Sequence, residues 1–341
     1  MQRTARQEDL DRAKGLAILL VVFGHIVARE PPAGNEWYVL AKMAVYLFHM
    51  PFFMYLSGYV TFLSGAARLR PSAWGDLLST RAMRLLLPFL IFGIATIVGK
   101  MSLGPYLYVD NAPVSAGSAL LNLVWHTDES AAHSVWYVAV LFIECLLTPV
   151  LLLVLRGRTS LLLLLAAVLY TLPIPHVMYL DEVAEFYVFF VLGGVAADAR
   201  DRWLMWVDRY RTEFWLAFAA GVIGVTTAVV VGVAPVDIPR PNWAMLVCGI
   251  LSAPALHSLV RQGPLAHSAS LLTLGYFTFA IYLMNTPCIG LAKAIMLKAI
   301  PWDGPNFLIY APVLMAAGVF GPILVKRWLL RRVPFLDRIT Q

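Results

Sequence analysis

Apolar runs of about twenty residues recur down this chain, separated by short charged, glycine and proline breaks, and they constrain its fold more than any motif. They lie at roughly 11–29, 40–63, 84–103, 134–155, 159–176, 184–198, 213–234, 243–260, 271–292 and 307–326. A helix rises 1.5 Å per residue, so about 20 residues cross the ~30 Å hydrocarbon core of a bilayer. In lipid each backbone N–H and C=O must be satisfied within the segment, which makes such runs helical. The sixth run is the weakest, being short and holding Glu185, and only "RGRTS" (Arg156–Ser160) parts the fourth from the fifth. The expected fold is all-α: a polytopic membrane helix bundle of about ten transmembrane helices, one domain over residues 1–341.

Composition agrees. The chain is 60% hydrophobic and 13% charged, with mean hydropathy +0.75, whereas soluble domains are usually about 45–50% apolar and ~25% charged. The net charge of +6 does not point to nucleic acid, because the basic residues sit in the gaps between apolar runs. With the N-terminus inside, only Arg29, Lys42, Lys100, Arg240, Lys293 and Lys298 fall outside, leaving twenty of the 26 Lys and Arg on the cytoplasmic side. The positive-inside rule then predicts both termini in the cytoplasm and a multi-pass protein of a bacterial-type inner (cytoplasmic) membrane. The basic-then-apolar N-terminus imitates a signal peptide, but its run carries a histidine and many further spans follow, so cleavage is not expected. Cys145, Cys248 and Cys288 all lie in apolar runs without CxxC spacing and read as packing residues. His126 and His133 lack a third well-spaced ligand, so no metal is expected.

The polar residues inside the runs carry the functional signal. In "RAKGLAILLVVFGHIV" (Arg12–Val27), Lys14 and His25 are eleven residues apart, almost three helical turns, so they share one face about 16 Å apart. Asp11 lies one turn below Lys14 on nearly the same stripe. Such a stripe belongs against protein or a wet cavity, and histidine suits proton transfer near neutral pH. In "FHMPFFMYLSGYV" (Phe48–Val60), Pro51 is expected to break the helix just after His49, and Ser57-Gly58 allows close helix approach or a polar contact. His49 fits a packed kink or a functional site equally. Arg81 and Arg84 sit one turn apart just before the third run. They are membrane anchors or an anion clamp, since guanidinium forks fit phosphate.

In this order, Lys14-x10-His25, "FHMPFFMYLSGY", Arg81-x-x-Arg84 before "LLLPF", "VWYVAVLF" (Val135–Phe142) and "LGYFTFAIYLMNTP" (Leu274–Pro287) resemble the membrane-bound acyltransferase 3 family, the O-acetyltransferases of surface sugars. The resemblance runs from about residue 8 to 290. It implies about ten helices, acyl-CoA, commonly acetyl-CoA, as a cytoplasmic co-substrate with no tightly bound cofactor, and a sugar hydroxyl as acceptor. Two positions depart from the commoner family pattern. Lys14 stands where arginine is usual, as in a branch resembling fucose and exopolysaccharide O-acetylases. Asn285 stands where histidine is frequent, and an amide cannot act as a base.

The resemblance implies His25 as general base toward the acceptor hydroxyl, or as the carrier of an acyl-histidine. Lys14, Arg81 and Arg84 would hold the CoA phosphates, with Asp11 orienting Lys14. Glu144, the only carboxylate deep in the fourth run, would orient His25, pair with a basic residue, or pin helices. Trp136 and Tyr137 serve an interface belt or stack on sugar, and their place near the outer face favours stacking. His49, Ser57 and Asn285 complete the supporting set. The expected partners are acyl-CoA, a carbohydrate acceptor and the lipid membrane, with self-association left open. The rival reading is a secondary transporter exporting a glycan or lipid precursor, which buried His and Glu and broken helices also fit. It leaves the arginine pair and the Lys/His face without a purpose.

Overall fold

The computed structural model describes residues 7–28, 31–107, 109–236 and 238–340, and Arg3, Arg6 and Arg29 of the charge count lie outside the described residues. No strand occurs among the described residues. The helices are α1 (Glu8–His25), α2 (Glu36–Tyr46), α3 (His49–Leu63), α4 (Trp74–Arg81), α5 (Leu87–Leu103), α6 (Ala116–Val124), α7 (Trp136–Val154) and α8 (Thr159–Thr171). They continue with α9 (Leu180–Asp198), α10 (Arg200–Arg209), α11 (Arg211–Val230), α12 (Trp243–Arg261), α13 (Ala269–Met296), α14 (Phe307–Trp328) and α15 (Pro334–Ile339). Each predicted run coincides with one of these helices or a pair of them.

Among the described residues, seven segments are long and apolar enough to cross a membrane: Glu36–Leu63, Pro71–Leu103, His133–Val154, Arg211–Val230, Trp243–Arg261, Ala269–Met296 and Phe307–Arg332. The other three predicted spans differ for physical reasons. α1 carries Glu8, Asp9, Asp11, Arg12 and Lys14, and α9 carries Asp181, Glu182, Glu185 and Asp198, so neither is uniformly apolar. α8 has 13 residues, about 20 Å of helix, shorter than the ~30 Å core.

Proline shapes two of the spans. The expected break after His49 falls before it: α2 ends at Tyr46 and α3 begins at His49. Pro51 cannot donate to the carbonyl four residues back, that of Leu47, and its ring crowds that group. The helix therefore parts at Leu47–Phe48, and Pro51 sits in the first turn of α3, where N–H groups have no intrahelical partner anyway. Between α4 and α5 the helix continues through a π turn, Ala82–Leu86, closed by Leu87 N–H donating to Ala82 O. Pro88 leaves the Arg84 carbonyl without its usual donor, and the wider turn accommodates that loss.

α3 and α9 form the most buried pair. A Cβ on Gly58 would fall 1.8 Å from Phe190 O, and one on Gly193 would fall 2.0 Å from Tyr55 O. α1 and α13 cross just as closely: a Cβ on Gly15 would fall 2.1 Å from Leu271 O, and one on Gly275 would fall 2.0 Å from Asp11 O. Small residues let backbones touch where dispersion, rather than hydrophobic exclusion, holds membrane helices together. Ten residues beyond each of Gly15 and Gly275 stand His25 and Asn285, which also meet, so the two helices run parallel and in register. The periphery is apolar, with Leu164, Leu216, Ile223 and Leu308 exposed, as expected of lipid-facing surface.

The two ends of the bundle differ. At the end where α1 starts, Arg68 binds Asp198 (2.5 Å) and Gly157 O (3.1 Å), Lys326 binds Asp337 (2.7 Å), and Arg261 joins Asp9 (3.0 Å) to Asp208 (2.7 Å). Outside the spans there, the Arg261 hydrogen bond holds the Asp208 carboxyl below the usual carboxylate range. At the opposite end the few cations act as local pins. Lys100 donates to Ala131 O (2.7 Å), Lys293 binds Asp110 (3.1 Å) and lies 4.4 Å from the Trp302 ring, and Arg240 binds Asp181 and Glu185.

Gly275→Ala is expected to destabilise the protein by about 1–3 kcal/mol, since the new methyl meets backbone that cannot yield. Gly290→Ala, on the same helix but facing open space, is the control. Thermal unfolding in detergent should show a lower Tm for the first variant and none for the second; equal curves would mean that the α1–α13 crossing does not need glycine.

Candidate active site

His25 closes α1, and its surroundings are built from three other helices. Its Nδ1 lies 2.7 Å from Asn285 Oδ1 on α13. Asn285 Nδ2 donates to Ile281 O (3.0 Å) and Tyr282 O (2.8 Å), which fixes which end of the amide faces His25. Oδ1 only accepts, so His25 Nδ1 carries the proton and Nε2 holds the free lone pair. Thr286 adds to this contact, donating to Asn285 Oδ1 (3.2 Å) with its hydroxyl 3.3 Å from His25 Nδ1.

The backbone beneath His25 is held as firmly as its ring. A helix C-terminus leaves carbonyls without partners, and α2 supplies donors to them. Tyr38 OH donates to Phe23 O (2.8 Å), Tyr46 OH to Gly24 O (3.0 Å) and Lys42 Nζ to Val27 O (2.8 Å). These three residues were absent from the sequence-derived set. Their spacing, i, i+4 and i+8, marks one face of α2 and is the signal that finds them.

His49 is buried, donates from Nδ1 to Val45 O (2.9 Å) and packs its ring 4.7 Å from that of Tyr46. It lies within electrostatic reach of His25. Both expectations for Ser57-Gly58 are met at once, because Gly58 seats against Phe190 while the Ser57 hydroxyl shares a short hydrogen bond with Tyr137 OH. The Tyr137 N–H donates to Tyr282 OH (3.2 Å), and its ring lies 4.9 Å from Phe53 and 5.2 Å from Tyr282. Tyr282 is one turn before Asn285, so this aromatic cluster continues into the His25 contact. Trp136 packs 4.9 Å from Phe186 on α9.

Glu144 is not brought to His25. It is fully buried, and neither carboxylate oxygen has a hydrogen-bond partner among the described residues. Eight residues past Trp136, it lies about 12 Å further along α7 toward the end where α1 starts. The orienting place beside His25 is taken by Asn285, and none of the three roles open to Glu144 has a side-chain hydrogen bond to carry it among the described residues.

The cations fall in two places. Lys14 Nζ lies 3.7 Å from Asp11 Oδ1 on α1. Arg81 stands near Cys145 of α7, half-buried, while Arg84 is exposed on the π turn. Among the described residues neither arginine makes an ion pair or hydrogen bond, and none joins them to Lys14. A buried group that sequence reasoning missed lies at the same end: His257, fully buried, has Nδ1 3.0 Å from Tyr55 OH and Nε2 3.7 Å from Asp9 Oδ2. A histidine inside the apolar stretch "ALHSLV" was its signal. In the far-end loop, His133 Nδ1 donates to Thr127 O (3.0 Å).

A family model described as an acyltransferase domain matches residues 7–327. The chain belongs to the acyltransferase 3 family. The family and the long apolar helices make it an integral membrane protein. Nodulation protein NolL of Mesorhizobium japonicum is 40% identical over 89 residues, covering 26% of this chain and 23% of that protein. NolL of Sinorhizobium fredii is 39% identical over 94 residues, again 26% and 23%. The match thus spans about a quarter of each relative's length. No solved structure matches.

Asn285→Ala removes the acceptor that fixes the His25 tautomer. Losing one neutral hydrogen bond of about 1 kcal/mol should lower kcat roughly fivefold, with the donor KM unchanged. Steady-state kinetics with purified protein checks this, and a shift confined to the donor KM would place Asn285 in donor binding.

Proposed function

We propose that the protein moves an acyl group, acetyl in the simplest case, from cytoplasmic acyl-CoA to a hydroxyl of a surface or lipid-linked sugar, with His25 as general base. The observation that carries this reading is the His25–Asn285 contact, which commits Nδ1 and leaves Nε2 free. His25 Nε2 takes the proton as the sugar oxygen attacks the thioester carbonyl. When the C–S bond breaks, the thiolate leaves and takes that proton from Nε2–H, giving free CoA thiol and an O-acyl sugar. A base placed in this way contributes about 10²–10⁴-fold in rate. Asn285 and Thr286 hold the ring, while Tyr38, Lys42 and Tyr46 hold the backbone beneath it.

The donor side is the end where α1 starts. There the guanidiniums of Arg81 and Arg84, unpaired among the described residues, and the Lys14 ammonium beside Asp11 suit phosphates. About 16 Å of helix between Lys14 and His25 fits an extended pantetheine arm with its thioester at His25. The acceptor approaches from the other end, past Trp136 and Tyr137. This geometry goes with ten membrane crossings, both termini in the cytoplasm and residence in the inner membrane of a bacterial-type cell. α1, α8 and α9 then cross as members of the bundle rather than as independently apolar spans.

His25→Ala should insert and purify normally yet release no thiol from acetyl-CoA above the rate without protein, read with a thiol reagent over a panel of sugar acceptors. Wild-type turnover in that variant removes His25 from the chemistry. No thiol from the wild-type chain with any acceptor favours transport over transfer.

The arginine pair makes a separate prediction. Arg81→Ala and Arg84→Ala should each raise the KM for acyl-CoA by about tenfold or more, the equivalent of one charge-assisted contact at ~1.5–3 kcal/mol, leaving the acceptor KM unchanged. A rise in the acceptor KM alone would make them membrane anchors or acceptor contacts.

A further inference from the structure

The end of α14 and the chain after it form a folded surface that the site at His25 does not use, at the end of the bundle where α1 starts. Lys326, buried in the last turn of α14, donates to Asp337 O (2.7 Å) and Thr340 Oγ1 (2.6 Å) and pairs with Asp337 Oδ1 (2.7 Å). These contacts fold a 3₁₀ turn, Leu330–Arg332, and α15 back over the end of α14, with Leu330 and Ile339 buried beneath. α15 also packs against the π turn Ala82–Leu86, so the segment is held from two sides.

This hook turns outward what a surface in water rarely shows. Trp328 is 66% exposed and Leu329 61%, and Val333 and Phe335 are exposed with them. Arg327, Arg331, Arg332 and Arg338 are exposed among these apolar side chains. Asp337 is the one acid in that stretch of sequence, and it is committed to Lys326. None of the four guanidiniums makes an ion pair or hydrogen bond among the described residues, and Arg327 lies 5.2 Å from the Phe277 ring. Positive charge and apolar surface are therefore interleaved on one preformed face, with neither satisfied by the chain itself.

The chemistry of the face selects its occupant. A second copy docked through the same patch would set these arginines against their own equivalents. A free nucleotide or CoA matches the charge but leaves Trp328, Leu329, Val333 and Phe335 in water. An anionic phospholipid meets both demands: its phosphate accepts from guanidinium forks, and its glycerol and first acyl carbons cover the apolar side chains. Tryptophan at a span end is at home at that depth. We propose that Arg327–Arg338 binds the headgroups of anionic phospholipids in the leaflet at this end of the bundle, with the adjacent Arg331 and Arg332 as the main phosphate contacts. The inference rests on residence in a membrane and not on the transfer chemistry.

The test titrates full-length protein in a neutral detergent with phosphatidylglycerol or phosphatidylcholine and counts bound lipid by native mass spectrometry. The wild-type chain should bind phosphatidylglycerol more tightly than phosphatidylcholine by about tenfold or more. Combined Arg331→Gln and Arg332→Gln should weaken phosphatidylglycerol by about 25-fold, about fivefold for each arginine, and leave phosphatidylcholine unchanged. Arg158→Gln, which removes an exposed cation at the same end outside the segment, should bind like the wild type. Salt supplies a measurement that needs no variant: raising it to about 0.5 M should abolish the preference of the wild-type chain. The surface is overturned if the two lipids bind equally at low salt, if salt leaves the preference intact, or if the folded double variant keeps it. It is also overturned if Arg158→Gln loses as much, which means diffuse charge, or if acetyl-CoA displaces phosphatidylglycerol, which assigns the arginines to the donor. None of these outcomes touches thiol release, which decides the transferase reading separately.

Discussion

Backbone contact between α1 and α13 at Gly15 and Gly275 is the constraint on which the rest of the site depends. At that crossing a single methyl on either glycine would lie about 2 Å from a carbonyl oxygen of the partner helix. Because the helices are parallel and in register, the crossing sets the pairing of every residue above it. His25 and Asn285 stand the same distance beyond their glycines and so arrive at the same height. A shift of one residue would turn each side chain by about 100° and separate the imidazole from the amide. The His25–Asn285 geometry is thus set about three turns away, by residues with no side chain.

Burial of polar groups explains the rest of the arrangement. A span that ends inside the bundle leaves carbonyls that lipid cannot satisfy. α2 meets this need for α1 through Tyr38, Lys42 and Tyr46, and in doing so brings the Tyr46 ring against His49. One set of capping contacts therefore stabilises the end of the first span and groups two histidines. At the far end Lys100, Lys293 and Arg240 follow the same logic, each bound to a carbonyl or carboxylate. At the other end Arg81 and Arg84 lack such partners among the described residues, a costly condition unless an anion or water serves them.

Much of this was legible in the sequence. Period and length gave the helical bundle, and eleven-residue spacing placed Lys14, Asp11 and His25 on a common stripe. What escaped was whatever depends on the partner helix. Pro51 announces a break, but its position follows from which carbonyl the ring crowds, so the break fell before His49. Glu144 stood out as an orienting group, an ion-pair partner or a helix pin because charge inside a span is conspicuous, whereas the group beside His25 is a neutral amide. α8 is shorter than its apolar run, because Pro173 and Pro175 follow directly and the helix ends at Thr171.

The amide at position 285 fixes the polarity of its contact with His25. Its two N–H donors are spent on Ile281 O and Tyr282 O of its own helix, so its oxygen has nothing to do but accept. A second imidazole at this place would be donor or acceptor according to its tautomer, and a protonated one would confront His25 with a donor and a like charge. Asn285 does not titrate, so the polarity of the contact is the same at every pH. His25 is then the one group in the pair whose proton inventory can change, and all of that change is directed to Nε2. In the transfer proposed above, a single base with a fixed tautomer suffices, because the proton taken from the hydroxyl is the proton returned to the departing thiolate.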